Sequence, residues 1–240
     1  MSALPPRGPI RHCLAVLLFL SLSLTVLATQ SEARSKKKKE PCVATLAECL
    51  QKEAGCGGDP ALNVLKNHTT EASDPEDWTV QDVIDLEEEI PADWRPGQNR
   101  QPLSDVGEGT AVTITGYLIH AQPSGAEACN CGLSGQDNNE FHLNLAGKKG
   151  DTREESIVAE ITPRFRPSGW TLPKLERLAN KPTFVRLTGW LLLDSQHLSG
   201  NGGPRATVWE IHPVTGCEVC TGSVKNCNAG NGWKPLASIP

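Results

Sequence analysis

From Gly109 onward the chain carries the two-residue alternation of apolar and polar positions that marks half-buried strands. Thr110–His120 is rich in Val, Ile and Thr, with Gly116 at a point where a strand can bend. Glu140–Leu145 sets Phe141, Leu143 and Leu145 against Glu140, His142 and Asn144, and Ser156–Thr162 places Ile157, Ala159 and Ile161 on one side. Pro163 and Pro167 then break the pattern, and Leu172–Leu178 follows with Leu172, Leu175 and Leu178 three apart and Pro173 in its first turn, which predicts a helix. Thr183–Leu193 reads as a long apolar strand and Ala206–Val214 as a fifth. Three strands, a helix and two strands are the succession of a five-stranded OB-like Greek-key barrel. The expected fold is therefore mainly β, with one helix between strands three and four and the barrel spanning 107–220. Phe141, Leu143, Leu145, Ile157, Ala159, Ile161, Trp209 and Ile211 would fill it.

Upstream, residues 42–106 form a Cys-containing extension in which Cys42, Cys49 and Cys56 are seven apart and Gly55–Pro60 is turn-rich. Trp78–Ile90 predicts a short amphipathic helix through Val80, Val83, Ile84 and Leu86, and Pro91–Pro102 a proline-punctuated loop. So few large apolar residues cannot close a core alone, so this segment is expected to pack on the barrel. Residues 221–240 are expected to be a C-terminal tail. An Asn67-His68-Thr69 sequon has meaning only in a eukaryotic secretory route.

The first residues have the form of a cleaved signal peptide: Arg7 and Arg11, an apolar run Leu14–Leu27, and cleavage points after Ala28 or Ala33. Fourteen residues fall short of the roughly 20 needed to span a bilayer. Residues 1–28 are thus assigned to the signal and 29–41, with Lys36–Lys39, to a disordered basic linker, in a protein secreted or held in the periplasm. No other segment is apolar enough to cross a membrane.

Removing the signal takes away two arginines and no acid, moving the formal charge from -5 to -7. Residues 107–220 hold 10 Lys and Arg against 12 Asp and Glu, and Tyr117 is the sole tyrosine, so single-stranded nucleic acid is a minor alternative. Of nine cysteines Cys13 leaves with the signal, and an oxidising compartment favours disulfides among Cys42, Cys49, Cys56, Cys129, Cys131, Cys217, Cys220 and Cys227. The rival is a zinc site from Cys129, Cys131, Cys217 and Cys220. Strands one and five run parallel in this topology, so at least one disulfide is expected between the Cys129/Cys131 pair and the Cys217/Cys220 pair.

Alternation also selects a candidate face. Opposite the core residues lie His142 and Asn144 on strand two, Glu160 and Arg164 on and after strand three, and Glu210 and His212 on strand five. Polar residues belong on the outside of a barrel without any function, and cross-strand His and Glu pairs are ordinary. The same side chains can nonetheless bind a small molecule or protein partner, and His142, Glu160, Glu210 and His212 are ordinary ligands for a divalent metal. No cofactor is required by the sequence. A metal-assisted hydrolase is the enzymatic alternative, for which G-x-S-x-G, H-E-x-x-H and phosphate-cradling glycine motifs are all missing.

The strings Glu140-Phe141-His142-Leu143, Val158-Ala159-Glu160-Ile161-Thr162-Pro163-Arg164, Val185-Arg186-Leu187-Thr188-Gly189-Trp190 and Arg205-Ala206-Thr207-Val208-Trp209-Glu210-Ile211-His212-Pro213 resemble a family of uncharacterised exported bacterial proteins with an OB-like domain. Trp-Glu-Ile-His-Pro is the most specific part, and the resemblance covers roughly 107–220. It implies a bacterial, periplasmic or extracellular setting and no particular activity. The cysteine-rich flanks and Cys217 depart from the family's pattern.

Overall fold

The computed structural model describes residues 40–198, 200 and 202–240. The expected signal peptide, and the basic linker as far as residue 39, lie outside the described residues. Seven strands are present among the described residues: β1 (Glu76–Thr79), β2 (Ala111–Pro123), β3 (Phe141–Ala146), β4 (Ser156–Ile161), β5 (Thr183–Leu193), β6 (Trp209–Cys220) and β7 (Trp233–Pro235). The helices are α1 (Leu46–Cys49), α2 (Pro60–Lys66), α3 (Val80–Asp85), α4 (Gln101–Ser104), α5 (Leu172–Ala179) and α6 (Val224–Asn228).

Strands β2, β3, β4, β6 and β5 pair in that order, and β5 pairs back with β2 to close a barrel. All contacts round the barrel are antiparallel except β4 with β6, a parallel seam of two pairs, Val158 with Glu210 and Ala159 with Ile211. The five expected barrel strands and the helix between the third and fourth are thus all found. Every residue assigned to the interior from the alternation is buried in one core, joined by Leu172, Leu175 and Ala179 of α5. Pro173 sits in the first turn of that helix, where its missing N–H has no partner to lose. Burying each large side chain here contributes about 1.5–3 kcal/mol. Gly116 is required by close approach: a Cβ there would lie 2.7 Å from the Ala146 carbonyl oxygen and 2.9 Å from Leu145.

The differences lie at the edges. The segment predicted as one helix from Trp78 opens as β1, which runs parallel to β2, and α3 starts only at Val80. The Thr79 hydroxyl accepts from the Asp82 N–H while the Asp82 carboxylate accepts from the Thr79 N–H, and this reciprocal cap fixes the start. The C-terminal segment is more than a tail, since it forms α6 and then β7, which pairs with the end of β6. Strand β6 itself begins at Trp209 rather than Ala206 and runs to Cys220 rather than Val214.

That extra length overturns the disulfide expectation. The bonds are Cys42–Cys56, Cys49–Cys131 and Cys220–Cys227, and none joins the Cys129/Cys131 pair to Cys217 or Cys220. Six further residues of strand carry Cys220 out to α6 and turn Cys217 into the barrel core opposite Leu187. Cys131 is meanwhile taken by the extension. Cys129 and Cys217 remain buried thiols, so not all eight cysteines are paired. The four-cysteine zinc set is not assembled either, because Cys131 and Cys220 are spent on other partners.

Candidate functional site

Strand register brings most of the candidate face together. His142 and Glu160 are direct partners across β3 and β4, Glu210 lies beside Val158 on the parallel seam, and His212 follows two residues later. All turn away from the barrel interior, as the alternation requires. The expectation that they face solvent fails: Glu160, Glu210, His212 and Asn144 are buried, and only His142 is partly open, with 19% of its side chain exposed.

The cover is the Cys-rich extension. Asp59 accepts hydrogen bonds from the N–H groups of Ala61 and Leu62, and Pro60 occupies the first helical position, so α2 starts there and delivers a buried Lys66 in its last turn. The Asn67 amide donates to the carbonyls of Glu53 and Cys129, which pins the helix to the loop after β2. Gly55 makes the tightest approach, at φ +54°, where a Cβ would stand 2.1 Å from the Ala128 oxygen. The Cys49–Cys131 disulfide bolts the same two segments.

Two candidates serve this scaffold and stand apart from the cluster. The Arg164 guanidinium donates to the carbonyls of Cys49, Leu50, Lys52 and Cys129, clamping the cover. Asn144 donates to the Ser156 hydroxyl and the Pro204 carbonyl and accepts from Arg153.

The remaining candidates converge with residues that the sequence reading did not select. Glu160 is the hub: one oxygen lies 2.9 Å from His142 Nε2, and the other lies 3.0 Å from His212 Nε2 and 3.3 Å from Lys66 Nζ. His212 Nε2 is also 3.2 Å from Glu140, and His142 Nε2 is 3.5 Å from Glu127. Lys66 reaches Asp194 at 3.5 Å, Glu127 at 3.6 Å and Glu210 at 3.7 Å, and Arg205 holds the other oxygen of Glu210 at 3.3 Å. Glu140 shares the β3 alternation with His142, so its place was legible. Lys66, Glu127, Cys129 and Asp194 come from other segments, and no local periodicity announces them.

The electrostatics are strained. Glu127, Glu140, Glu160, Asp194 and Glu210 are set against Lys66, Arg205 and the imidazoles of His142 and His212. Burial raises the Glu140 carboxyl to about 7, with Glu127 adding to it, and raises Glu210 to about 8, with Glu160 adding to it. Burial disfavours charge on the imidazoles too, but the surrounding carboxylates prevail: Glu160 holds His142 up at about 11, and Glu140 holds His212 at about 10. Lys66 stays well above its ordinary value by the same contest, with Glu160 the strongest carboxylate against its burial.

Hydrogen bonding is incomplete as well. Glu140 Oε2, Glu160 Oε1, Glu210 Oε1, His142 Nε2 and both ring nitrogens of His212 are buried without a well-directed hydrogen-bond partner. Glu140, Glu160 and His212 each present a donor atom within 4.8 Å of the others, and Glu127, Glu140 and His142 form a second such triad. Carboxylate oxygens and an imidazole nitrogen converging in this way are ordinary ligands for a divalent cation.

The fold and the cluster together define a disulfide-stapled β-barrel with a covered acid and imidazole site. No known protein-family model matches the chain. No curated protein matches it. Among solved structures, a chain of the complex described as "OBody AM3L15 bound to hen egg-white lysozyme" is similar over 48% of this chain and 85% of its own length, with a TM-score of 0.31 and 12% identity.

Proposed function

We propose that this is an exported, OB-like binding module whose ligand is a divalent cation, held by Glu140, Glu160 and His212 beneath the Cys-rich extension. The observation that carries this reading is the convergence of Glu140, Glu160 and His212, each buried and each presenting a donor atom within 4.8 Å of the others. His142 and Glu127 form the second lobe and the partly open edge through which an ion enters. Lys66 and Arg205 hold Glu210 and Asp194 to one side, and Glu140 keeps one buried oxygen, Oε2, without a hydrogen-bond partner. Three disulfides, and no helix among the described residues long and apolar enough to cross a membrane, suit a protein acting outside the cytoplasm. The resemblance to exported bacterial proteins points the same way.

A metal-assisted hydrolase is the second reading, favoured by the partial exposure of His142 and Glu127, which would admit a water to a bound ion. Nucleic acid is poorly supported. The half-buried aromatic group Tyr117, Phe184 and Trp233 sits on β2, β5 and β7, but its cation, Arg186, is already paired with Glu218 at 2.5 Å.

Metal analysis of the full chain purified without chelators tests the proposal. About one divalent ion per chain, lost in the His142→Ala plus His212→Ala variant, is expected. A protein that is metal-free as isolated and takes up none on titration would overturn it. Metal-dependent turnover of a model ester or phosphodiester would favour the hydrolase.

A further inference from the structure

The Cys-rich cover gathers more sulfur at one point than two separate staples require. The sulfurs of Cys42, Cys56 and Cys131 all lie within 4.8 Å of one another, although Cys131 is bonded to Cys49 and the other two to each other. Two disulfides are thus packed side by side, and burial grades them: Cys42 is exposed, Cys56 half-buried, and Cys49 and Cys131 buried. Backbone contacts hold the group together independently of either bond. The Cys42 N–H donates to the Cys131 carbonyl at 3.1 Å, and the Cys56 N–H to the Ala128 carbonyl at 2.8 Å. Opening Cys42–Cys56 therefore leaves both of its sulfurs tethered beside that of Cys131. Cys131 takes φ +58°, a left-handed conformation that a residue with a β-carbon adopts only where its surroundings impose it. Across the buried bond, the Arg164 guanidinium stands 3.4 Å from the Cys49 sulfur. A cation there stabilises a thiolate, and a thiol of lowered pKa is the better leaving group in exchange.

We infer that the cover is a thiol–disulfide exchange site, entered at Cys42 by an external dithiol and passing the exchange inward to the Cys49–Cys131 bond. A thiolate of the dithiol attacks the exposed Cys42 sulfur, the Cys42–Cys56 bond breaks, and Cys56 leaves as a thiolate. Cys56 then attacks the Cys131 sulfur, and Cys49 leaves as a thiolate facing Arg164 and takes a proton from solvent. The second sulfur of the dithiol closes onto its first and frees Cys42 as a thiol. The dithiol is oxidised to its disulfide, and its two electrons and two protons end on Cys42 and Cys49. The protein keeps one cover disulfide, now Cys56–Cys131. The inward step is itself redox-neutral. It moves the bolt between the barrel loop and the extension from α1 to the segment just before α2, so that α2 stays seated while α1 is released.

Graded reduction of the full-length protein with dithiothreitol, trapped at acid pH with a maleimide and mapped by peptide mass, reads the order of these steps. In molecules whose cover has gained two electrons, a Cys56–Cys131 bond is expected, with Cys42 and Cys49 both alkylated. Alkylation confined to Cys42 and Cys56, with Cys49–Cys131 intact, would overturn the inference. The variant Cys42→Ser plus Cys56→Ser removes the point of entry. Its Cys49–Cys131 bond is expected to be reduced about tenfold more slowly than in the wild type or slower still. An equal rate in the two proteins would likewise overturn the inference. The wild-type map decides the matter even if that variant does not fold.

Discussion

At the scale of single residues, the cluster is a set of charges that cannot be changed independently. Lys66 shares its ammonium among Glu127, Glu160, Asp194 and Glu210, three of them fully buried. Lys66→Met keeps the shape of the side chain and strands those carboxylates, so a loss of about 3–5 kcal/mol is expected in chemical denaturation at neutral pH. Unchanged stability would mean that bound protons already neutralise the pocket. Glu210 gives the corresponding pH dependence. Its carboxyl is lifted from about 4.5 to about 8 by burial and by Glu160. A buried acid with a raised pKa favours the folded state while protonated, so its contribution is whole below about pH 4.5 and fades as pH climbs through about 8. Metal-free Glu210→Gln, neutral throughout, is therefore expected to lose less stability than the wild type between about pH 5 and 8. Parallel curves for the two proteins would contradict the assigned environment.

At the scale of elements, the site is made by a cover that the barrel alone does not possess. The Cys49–Cys131 disulfide spans 82 residues between α1 and the loop after β2, a closure worth about 4–5 kcal/mol by chain entropy. Cys49→Ser with Cys131→Ser is expected to cost about that much in thermal or denaturant unfolding and to weaken ion binding, because α2 and the Cys129 loop then part more easily. Ion affinity unaltered by this change would show that the cover plays no part in the site. Gly55→Ala attacks the same contact by a steric route, since its φ is positive and the space is filled by the Ala128 backbone. These elements also show where the sequence was informative. Alternation in β3, β4 and β6 placed His142, Glu160, Glu210 and His212 on one face because strand period is a local property. Whether that face met water depended on α2, whose Lys66 stands 94 positions from Glu160, and pattern carries no information over such a separation. The cysteines failed for the same reason: pairing followed the extension and the true length of β6, not the order of the barrel strands.

At the scale of the whole molecule, the barrel supplies a rigid three-strand platform, and the extension turns an ordinary polar face into an enclosed one. Enclosure strengthens every electrostatic interaction in the pocket and makes any unpaired charge there costly. The proposed cation would stabilise the fold through mass action if it binds the native state alone. Anomalous scattering from crystals of the full chain grown with zinc examines this most directly. The account predicts one strong peak at the zinc edge, about 2.0–2.3 Å from donor atoms of Glu140, Glu160 and His212. Crystals in which zinc occupies only surface positions, with no peak beneath α2, would contradict it.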